Sequence, residues 1–187
     1  MQVRGMTEER AHMRFIVGSG EQFMEKMQGF PTHFANGFLS SKLLGVFVTS
    51  NAEVVAACGV LRFSSYVIYY VKQEYRGQGL GTKIIEKTID TARKRGLAFL
   101  HSSASTTNVP SLRLQYRFFR KIVYLKKWNY LITMLPLTFK GELLYIFLRL
   151  TCSKLPEILM GYIIDFLMRV TGGVRELTIS TNQTERK

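Results

Sequence analysis

The residues with the clearest chemical purpose lie between Val71 and Thr82: Val71-Lys72-Gln73-Glu74-Tyr75-Arg76-Gly77-Gln78-Gly79-Leu80-Gly81-Thr82. Three glycines in five positions let a backbone come close to a ligand, because glycine has no Cβ and adopts positive φ freely. Downstream, Leu80, Ile84, Ile85, Ile89 and Ala92 recur near the helical period, and Gly96 stands where a helix end wants it. The glycines therefore join a strand ending near Val71 to the start of a helix. Unpaired N–H groups and the positive end of the helix dipole favour a phosphate there, so the segment is expected to hold a pyrophosphate. Two other glycine-rich devices fit poorly. A dinucleotide fingerprint needs G-x-G-x-x-G and an acid about twenty positions on. This chain has G-x-G-x-G, and its next strand has no acid. A P-loop needs Gly-Lys-Ser/Thr after a spacer of about four residues, whereas here Gly81, Thr82 and Lys83 stand in the wrong order without that spacer.

The elements that must position this turn follow from hydrophobic pattern. Residues 14–17 read as a strand, and Ser19 with Gln22 has the spacing of a capping box opening a first helix with Phe23, Met24 and Met27 on its buried side. Residues 29–37 break with Pro31, Asn36 and two glycines and read as a loop with room for a short helix. Residues 44–49, 53–63 and 66–71 form an antiparallel meander. After the helix over 80–95 come a strand over 98–103, parallel to the one before because the helix supplies the crossover, and a helix from Pro110 to Arg120. A hairpin of 122–125 and 128–135 turns about Lys126 and Lys127.

At 187 residues the chain suits one domain with a small appendage, and 47% hydrophobic residues supply a real core. Cys58 and Cys152 are far apart and outside any metal-ligand spacing, which points away from a disulfide framework or zinc site and towards a reducing cytoplasm. Glu8, Glu9, Glu21 and Glu25 interrupt the first thirty residues, so no secretory signal is expected. The net charge of +13 is concentrated: no acid lies between Asp90 and Glu142, while that stretch holds ten Lys and Arg. A basic face of this kind suits a polyphosphate cofactor, an anionic lipid surface, a nucleic-acid patch or plain solvation. Of these, nucleic acid is the least favoured.

The 71–82 segment resembles the cofactor motif of the GNAT superfamily of acyl-CoA-dependent N-acetyltransferases. That motif is Gln/Arg-x-x-Gly-x-Gly/Ala after a strand ending in a Val-like residue, here Arg76, Gly79 and Gly81. Asn108, Ser111 and Leu114 are similar to the family's Asn-x-x-Ala-x-x-Leu helix start, and the element order extends the resemblance over residues 14–135. The resemblance implies an α/β (α+β) fold with a mixed, mostly antiparallel central sheet, a splayed parallel strand pair and helices on both faces. It implies acetyl transfer from acetyl-CoA to an amine by direct attack, without a metal. The main-chain N–H of Val71 would then bond the thioester carbonyl or pantetheine arm. Arg76, Gly77, Gln78, Gly79, Leu80, Gly81 and Thr82 would cradle the pyrophosphate, with Lys83 and Lys87 screening charge, and Asn108 and Ser111 would meet the pantetheine. The family's helix Tyr is replaced by Gln115 and its Gly-Phe by Phe118-Phe119-Arg120, so Tyr116 is the candidate acid, with Tyr124 in reserve. His101 is the candidate base, ahead of Glu74 and His33. Phe30, Phe34 and Phe38 would border an apolar acceptor pocket; the amine itself is unspecified. An acyl-CoA-binding sensor or scaffold without turnover is the alternative from another class.

Three parts are expected: residues 1–138 as the acyltransferase domain, 139–172 as an apolar helical hairpin and 173–187 as a polar tail. In the second hairpin helix, over 156–171, Glu157, Gly161, Asp165 and Arg169 recur every four residues and leave the rest apolar. Arg149, Lys154 and Asp165 interrupt the pair, far short of the roughly 20 apolar residues a membrane span needs. A homodimer through 142–171, an anionic membrane surface or the domain itself would cover it. Two acids and one base on the polar stripe suit self-association or packing on the domain better than lipid. A membrane-surface acyltransferase module, cytoplasmic but peripheral, is the remaining variant.

Overall fold

β-branched and aromatic residues cluster between turn residues along the first half of the chain, and those clusters are the strands. A computed structural model describes residues 13–61 and 65–154, together with Leu159. Its described residues fall into two compact units, one holding 13–61 and 67–96, the other 65–66 and the residues from 97 on. The expected helix over 156–171 and the tail lie outside the described residues.

In the first unit β1 (Arg14–Gly18), β2 (Ser41–Val48), β3 (Val54–Leu61) and β4 (Val67–Val71) form an antiparallel sheet in chain order. β2 and β3 are buried along nearly their whole length, which fits covering from both faces. Alternation puts Gly45 and Gly59 on opposite faces. Thr88 of α2 (Leu80–Lys94) approaches the first, and Phe38 of α1 (Thr32–Leu39) approaches the second. The α1 face holds Phe23, Met27, Phe30 and Phe38 against Leu44, Val46 and Ala57. On the other face α2 buries Leu80, Ile84, Ile85, Thr88, Ile89 and Ala92, the stripe read from the sequence. Gly96, at φ 69°, closes the helix by donating to the Arg93 carbonyl at 2.9 Å.

Two local readings change. The segment after Ser19 is a six-residue 3₁₀ helix, Glu21–Lys26, instead of an α-helix. The expected contact is present, with Ser19 N donating to Gln22 Oε1 at 3.1 Å. The run before Gly29, which turns at φ 81°, is too short to sustain α-helical hydrogen bonding. The Phe30 to Phe38 stretch, read mainly as loop, instead holds α1 with Pro31 as its N-cap. Its aromatic residues at four-residue spacing supply a buried face that outweighs Asn36 and Gly37.

The second unit contains β5 (Phe99–Ser105), α3 (Val109–Phe118), β6 (Arg120–Leu125), β7 (Tyr130–Pro136) and α4 (Phe139–Lys154). β7 lies between β5 and β6 and is antiparallel to both. The expected parallel partner of β5 is represented in this unit by one bridge, Tyr66 with His101, where His101 N donates to the Ser65 carbonyl at 3.1 Å. The hairpin between β6 and β7 turns through a 3₁₀ helix, Lys126–Trp128, and Asn129 at φ 52°.

α3 is fastened to one face of this sheet by a buried polar cluster. Gln115, fully buried, donates from Nε2 to Ser102 Oγ at 3.1 Å and accepts from Thr133 Oγ1 at 3.2 Å. Thr133 Oγ1 also lies 3.1 Å from the Ser102 carbonyl. Ile132, the next residue of β7, therefore faces the other way, where it packs with Cys152 of α4. The sheet is thus covered by α3 on one face and α4 on the other.

These contacts set two expectations for stability. Gln115→Leu leaves Ser102 and Thr133 without their amide partner, and should lower the unfolding free energy by about 1–3 kcal/mol in a urea titration. Burial raises the Cys58 thiol from 9.0 to about 12. The folded state then keeps its proton where the unfolded state has lost it, so stability should fall as pH rises from 9 towards 12. Cys58→Ala should flatten that decline when thermal unfolding is followed across the same range.

Candidate functional site

β4 is the edge of its sheet. Just past its end, Lys72 N donates inward to the Val55 carbonyl at 3.0 Å, so by alternation the N–H and carbonyl of Val71 face away from β3. Arg76 Nε donates to that carbonyl at 3.1 Å, and its guanidinium carbon lies 5.5 Å from the Tyr70 ring centre. The arginine is thus held at the strand end with its charge beside the outward edge, while the Val71 N–H stays directed outward.

The chain then turns through a 3₁₀ helix, Gln73–Tyr75, closed by Tyr75 N to the Lys72 carbonyl at 3.0 Å and Arg76 N to the Gln73 carbonyl at 3.2 Å. Gln78 Nε2 braces it against the Glu74 carbonyl at 3.4 Å. Gly77 and Gly79 take φ of 75° and 76°, a left-handed conformation that costs an L-residue about 1–2 kcal/mol. A Cβ built on either meets no atom within 4 Å, so the backbone there faces open space.

Gly79 is the N-cap of α2, and the first intrahelical bond runs from Lys83 N to the Gly79 carbonyl at 3.1 Å. The N–H groups of Leu80, Gly81 and Thr82 precede that bond and have no partner within the helix. No side chain caps them, and the first turn carries no acid. Three N–H groups at the positive end of a helix of 15 residues are a candidate anion cradle. Lys83 and Lys87 are exposed on the same helix, and the Lys87 ammonium sits 5.2 Å from the Phe15 ring centre. Lys72 is not part of the cradle: it is buried and paired with Glu53 at 2.6 Å.

The first unit therefore gathers Val71, Arg76, Gly77, Gln78, Gly79, Leu80, Gly81 and Thr82 into one strand-turn-helix. Of the other named residues, Glu74 and His33 also belong to the first unit, and Asn108, Ser111, His101, Tyr116 and Tyr124 to the second. Asn108 is the N-cap of α3 and accepts from Ser111 N at 3.2 Å. His101 lies on β5 with its ring 5.2 Å from Tyr66, edge on. Tyr116 is 63% exposed on α3. Ser102 faces α3 through Gln115, so His101, one residue earlier, projects from the opposite face of the sheet. Tyr116 and His101 are thus carried on opposite sides of β5. Tyr124 donates to Asn129 Oδ1 at 3.1 Å, Glu74 is exposed, and exposed His33 lies against Phe34 with ring centres 4.3 Å apart.

Sequence reasoning missed the Arg76 tether and the Gln115 cluster. Gln115 stands four residues after Ser111, on the face that α3 turns to its sheet, and that spacing was the available signal.

The family model for acetyltransferases of the GNAT family matches residues 15–119. The chain belongs to the GNAT family. Among solved structures, a GNAT-family acetyltransferase from Staphylococcus aureus aligns with a TM-score of 0.51 at 12% identity, over 67% of this chain and 99% of that one. A GNAT-family N-acetyltransferase from Escherichia coli, solved in complex with CoA, aligns with a TM-score of 0.51 at 13% identity, over 70% of this chain and 84% of that one. At such identities the likeness is one of fold: the antiparallel sheets and four α-helices described above are a GNAT-like α/β architecture. No curated protein sequence matches the chain.

A GNAT cradle made of backbone is tested by adding a side chain at its turn. Gly79 holds φ 76°, so Gly79→Val should cost about 1–2 kcal/mol of stability through backbone strain. A Cβ there meets no atom within 4 Å, and the side chain would fill the space an anion needs, so the folded variant should bind CoA about tenfold or more weakly in calorimetry, near 1.4 kcal/mol. Wild-type affinity in folded Gly79→Val would mean that the anion does not approach this turn.

Proposed function

We propose that the protein transfers the acetyl group of acetyl-CoA to an amine by direct attack. The observation that carries this reading is the set of N–H groups at Leu80, Gly81 and Thr82 that precede the first intrahelical bond, in the same strand-turn-helix as the outward N–H of Val71. In this reading the pyrophosphate takes the helix donors and the N–H groups of Gly77, Gln78 and Gly79, with Arg76 adding charge. The Val71 N–H donates to the thioester carbonyl or the first amide of the pantetheine arm. Asn108 and Ser111 are assigned to that arm on family membership alone.

The amine nitrogen, neutral when it attacks, bonds to the thioester carbonyl carbon. The C–S bond then breaks and its electron pair leaves on the sulfur. One proton passes from the amine to a base and one from an acid to the thiolate. We assign the acid role to Tyr116 and the base role to His101. Tyr116 is carried on α3 and His101 projects from the face of β5 away from that helix, so in this reading the two act on different protons and not as a contacting pair. No metal is required by this scheme.

One observation favours a second reading, a domain that binds acyl-CoA without turnover. The position that carries a Tyr in the family is Gln115 here, spent on a buried structural cluster. Thiol release from acetyl-CoA over a panel of amines, peptides and polyamines included, separates the two: transfer predicts free thiol and an acetylated amine in equal amounts, whereas a binding domain gives neither. If Tyr116 supplies the proton, Tyr116→Phe should lower kcat about 100-fold and leave the dissociation constant for acetyl-CoA unchanged. An unaltered kcat would give that step to water.

A further inference from the structure

We propose that the outer face of α4, an exposed apolar stripe edged by basic side chains, docks the protein on an anionic membrane surface. The surface lies within the second unit, and the proposal is independent of the acyl-transfer reading.

α4 has two apolar faces. One carries Tyr145 and Cys152 and is buried on the sheet of β6 and β7. The other consists of Phe139, Leu143, Ile146, Phe147 and Leu150, between 50% and 76% exposed. Their spacing of four, three, one and three residues places all five within about 100° of arc at the helical period. A helix that is apolar around most of its circumference requires cover on its outer side as well.

Charge chooses the cover. Residues 97–154 contain nine Lys and Arg and one acid, Glu142. Glu142 is already paired with Arg120 at 2.9 Å. Lys140 and Arg149 flank the stripe on its two sides by helical period, both exposed, and exposed Lys121 stands where its carbonyl accepts from Tyr145 Oη at 3.3 Å. A second copy of this chain would bring two such basic edges together, and the one acid of residues 97–154 is already paired. The chain following Lys154 begins at the right end to fold back along α4, but the two acids of residues 155–170, Glu157 and Asp165, stand at four-residue spacing with Arg169, so a single stripe would bring them to no more than one of the two basic edges. Anionic headgroups complement the edge, and acyl chains accept the phenylalanines and leucines between. No described helix is long and apolar enough to cross a membrane, so the helix would lie in the interface. These observations reverse the preference for self-association that the polar stripe at Glu157, Asp165 and Arg169 suggested.

The test is flotation of the full chain with phosphatidylcholine vesicles, alone and mixed with phosphatidylserine, read beside solution mass by light scattering. The expected result is a monomer that floats only with phosphatidylserine and is released by high salt. Leu143→Ser with Phe147→Ser, both at exposed positions, should weaken that binding about tenfold or more at unchanged melting temperature. Lys140→Gln should weaken it about fivefold. A dimer dissociated by the double serine variant would overturn the proposal in favour of a second copy. A monomer that ignores both vesicles, and whose melting temperature drops in the variant, would overturn it in favour of the chain's own 155–170 segment. Equal binding to both vesicle types would also overturn it, since the basic edge would then have no role.

Discussion

Everything in the cofactor reading depends on three backbone donors that the helix cannot satisfy. An α-helix always leaves its first N–H groups without intrahelical partners, and most proteins spend a side chain to cap them. Here the N-cap is Gly79, which has no side chain to offer, and the first turn contains no carboxylate. The two glycines at positive φ lead into that helix end, and a Cβ built on either would meet only open space. The local sequence is therefore poor at stabilising its own helix end and suited to an anion that does so instead. The edge position of β4 extends the same logic, since an inner strand would have consumed the outward N–H of Val71. Arg76 ties the two parts together by taking the Val71 carbonyl and leaving the N–H.

The second unit solves a different problem. Its three-stranded sheet is covered on both faces, and the α3 side is held by side-chain hydrogen bonds as well as apolar packing. Gln115, Ser102 and Thr133 satisfy one another in the interior, and each would carry a desolvation penalty alone. That arrangement fixes the rotation of α3, so the residue after Gln115 must point outward, and Tyr116 does. Position along the helix, more than residue type, therefore separates a structural amide from an exposed phenol. The opposite face, under α4, has the complementary character: apolar beneath and apolar above, with charge confined to the edges.

Much of this was legible in the sequence where local chemistry has one good solution. Gly77 and Gly79 announced the turn, and the stripe from Leu80 to Ala92 announced the helix, because positive φ and a buried face leave few alternatives. The capping contact at Ser19 was legible, but the length of what followed was not, since the helix type depends on where Gly29 turns the chain. α1 was partly hidden by Pro31, Asn36 and Gly37, whose turn propensity is overridden by Phe30, Phe34 and Phe38 packing inward. The insertion of β7 between β5 and β6 has no local signal, because hydrophobic alternation states which face is buried and not which neighbour a strand takes. Gln115 was read as a missing tyrosine; its partners Ser102 and Thr133 are distant in sequence and become neighbours only through the sheet.

The claim that the α2 terminus holds the pyrophosphate is a claim about individual amide protons. The most direct measurement follows backbone amide resonances of the labelled chain during titration with CoA, and with pantetheine, which lacks the pyrophosphate. The account predicts that CoA shifts the amides of Gly77 to Thr82 most strongly, and that pantetheine leaves Leu80, Gly81 and Thr82 in place. Equal shifts of those three amides with both ligands, or no shift with CoA, would contradict it.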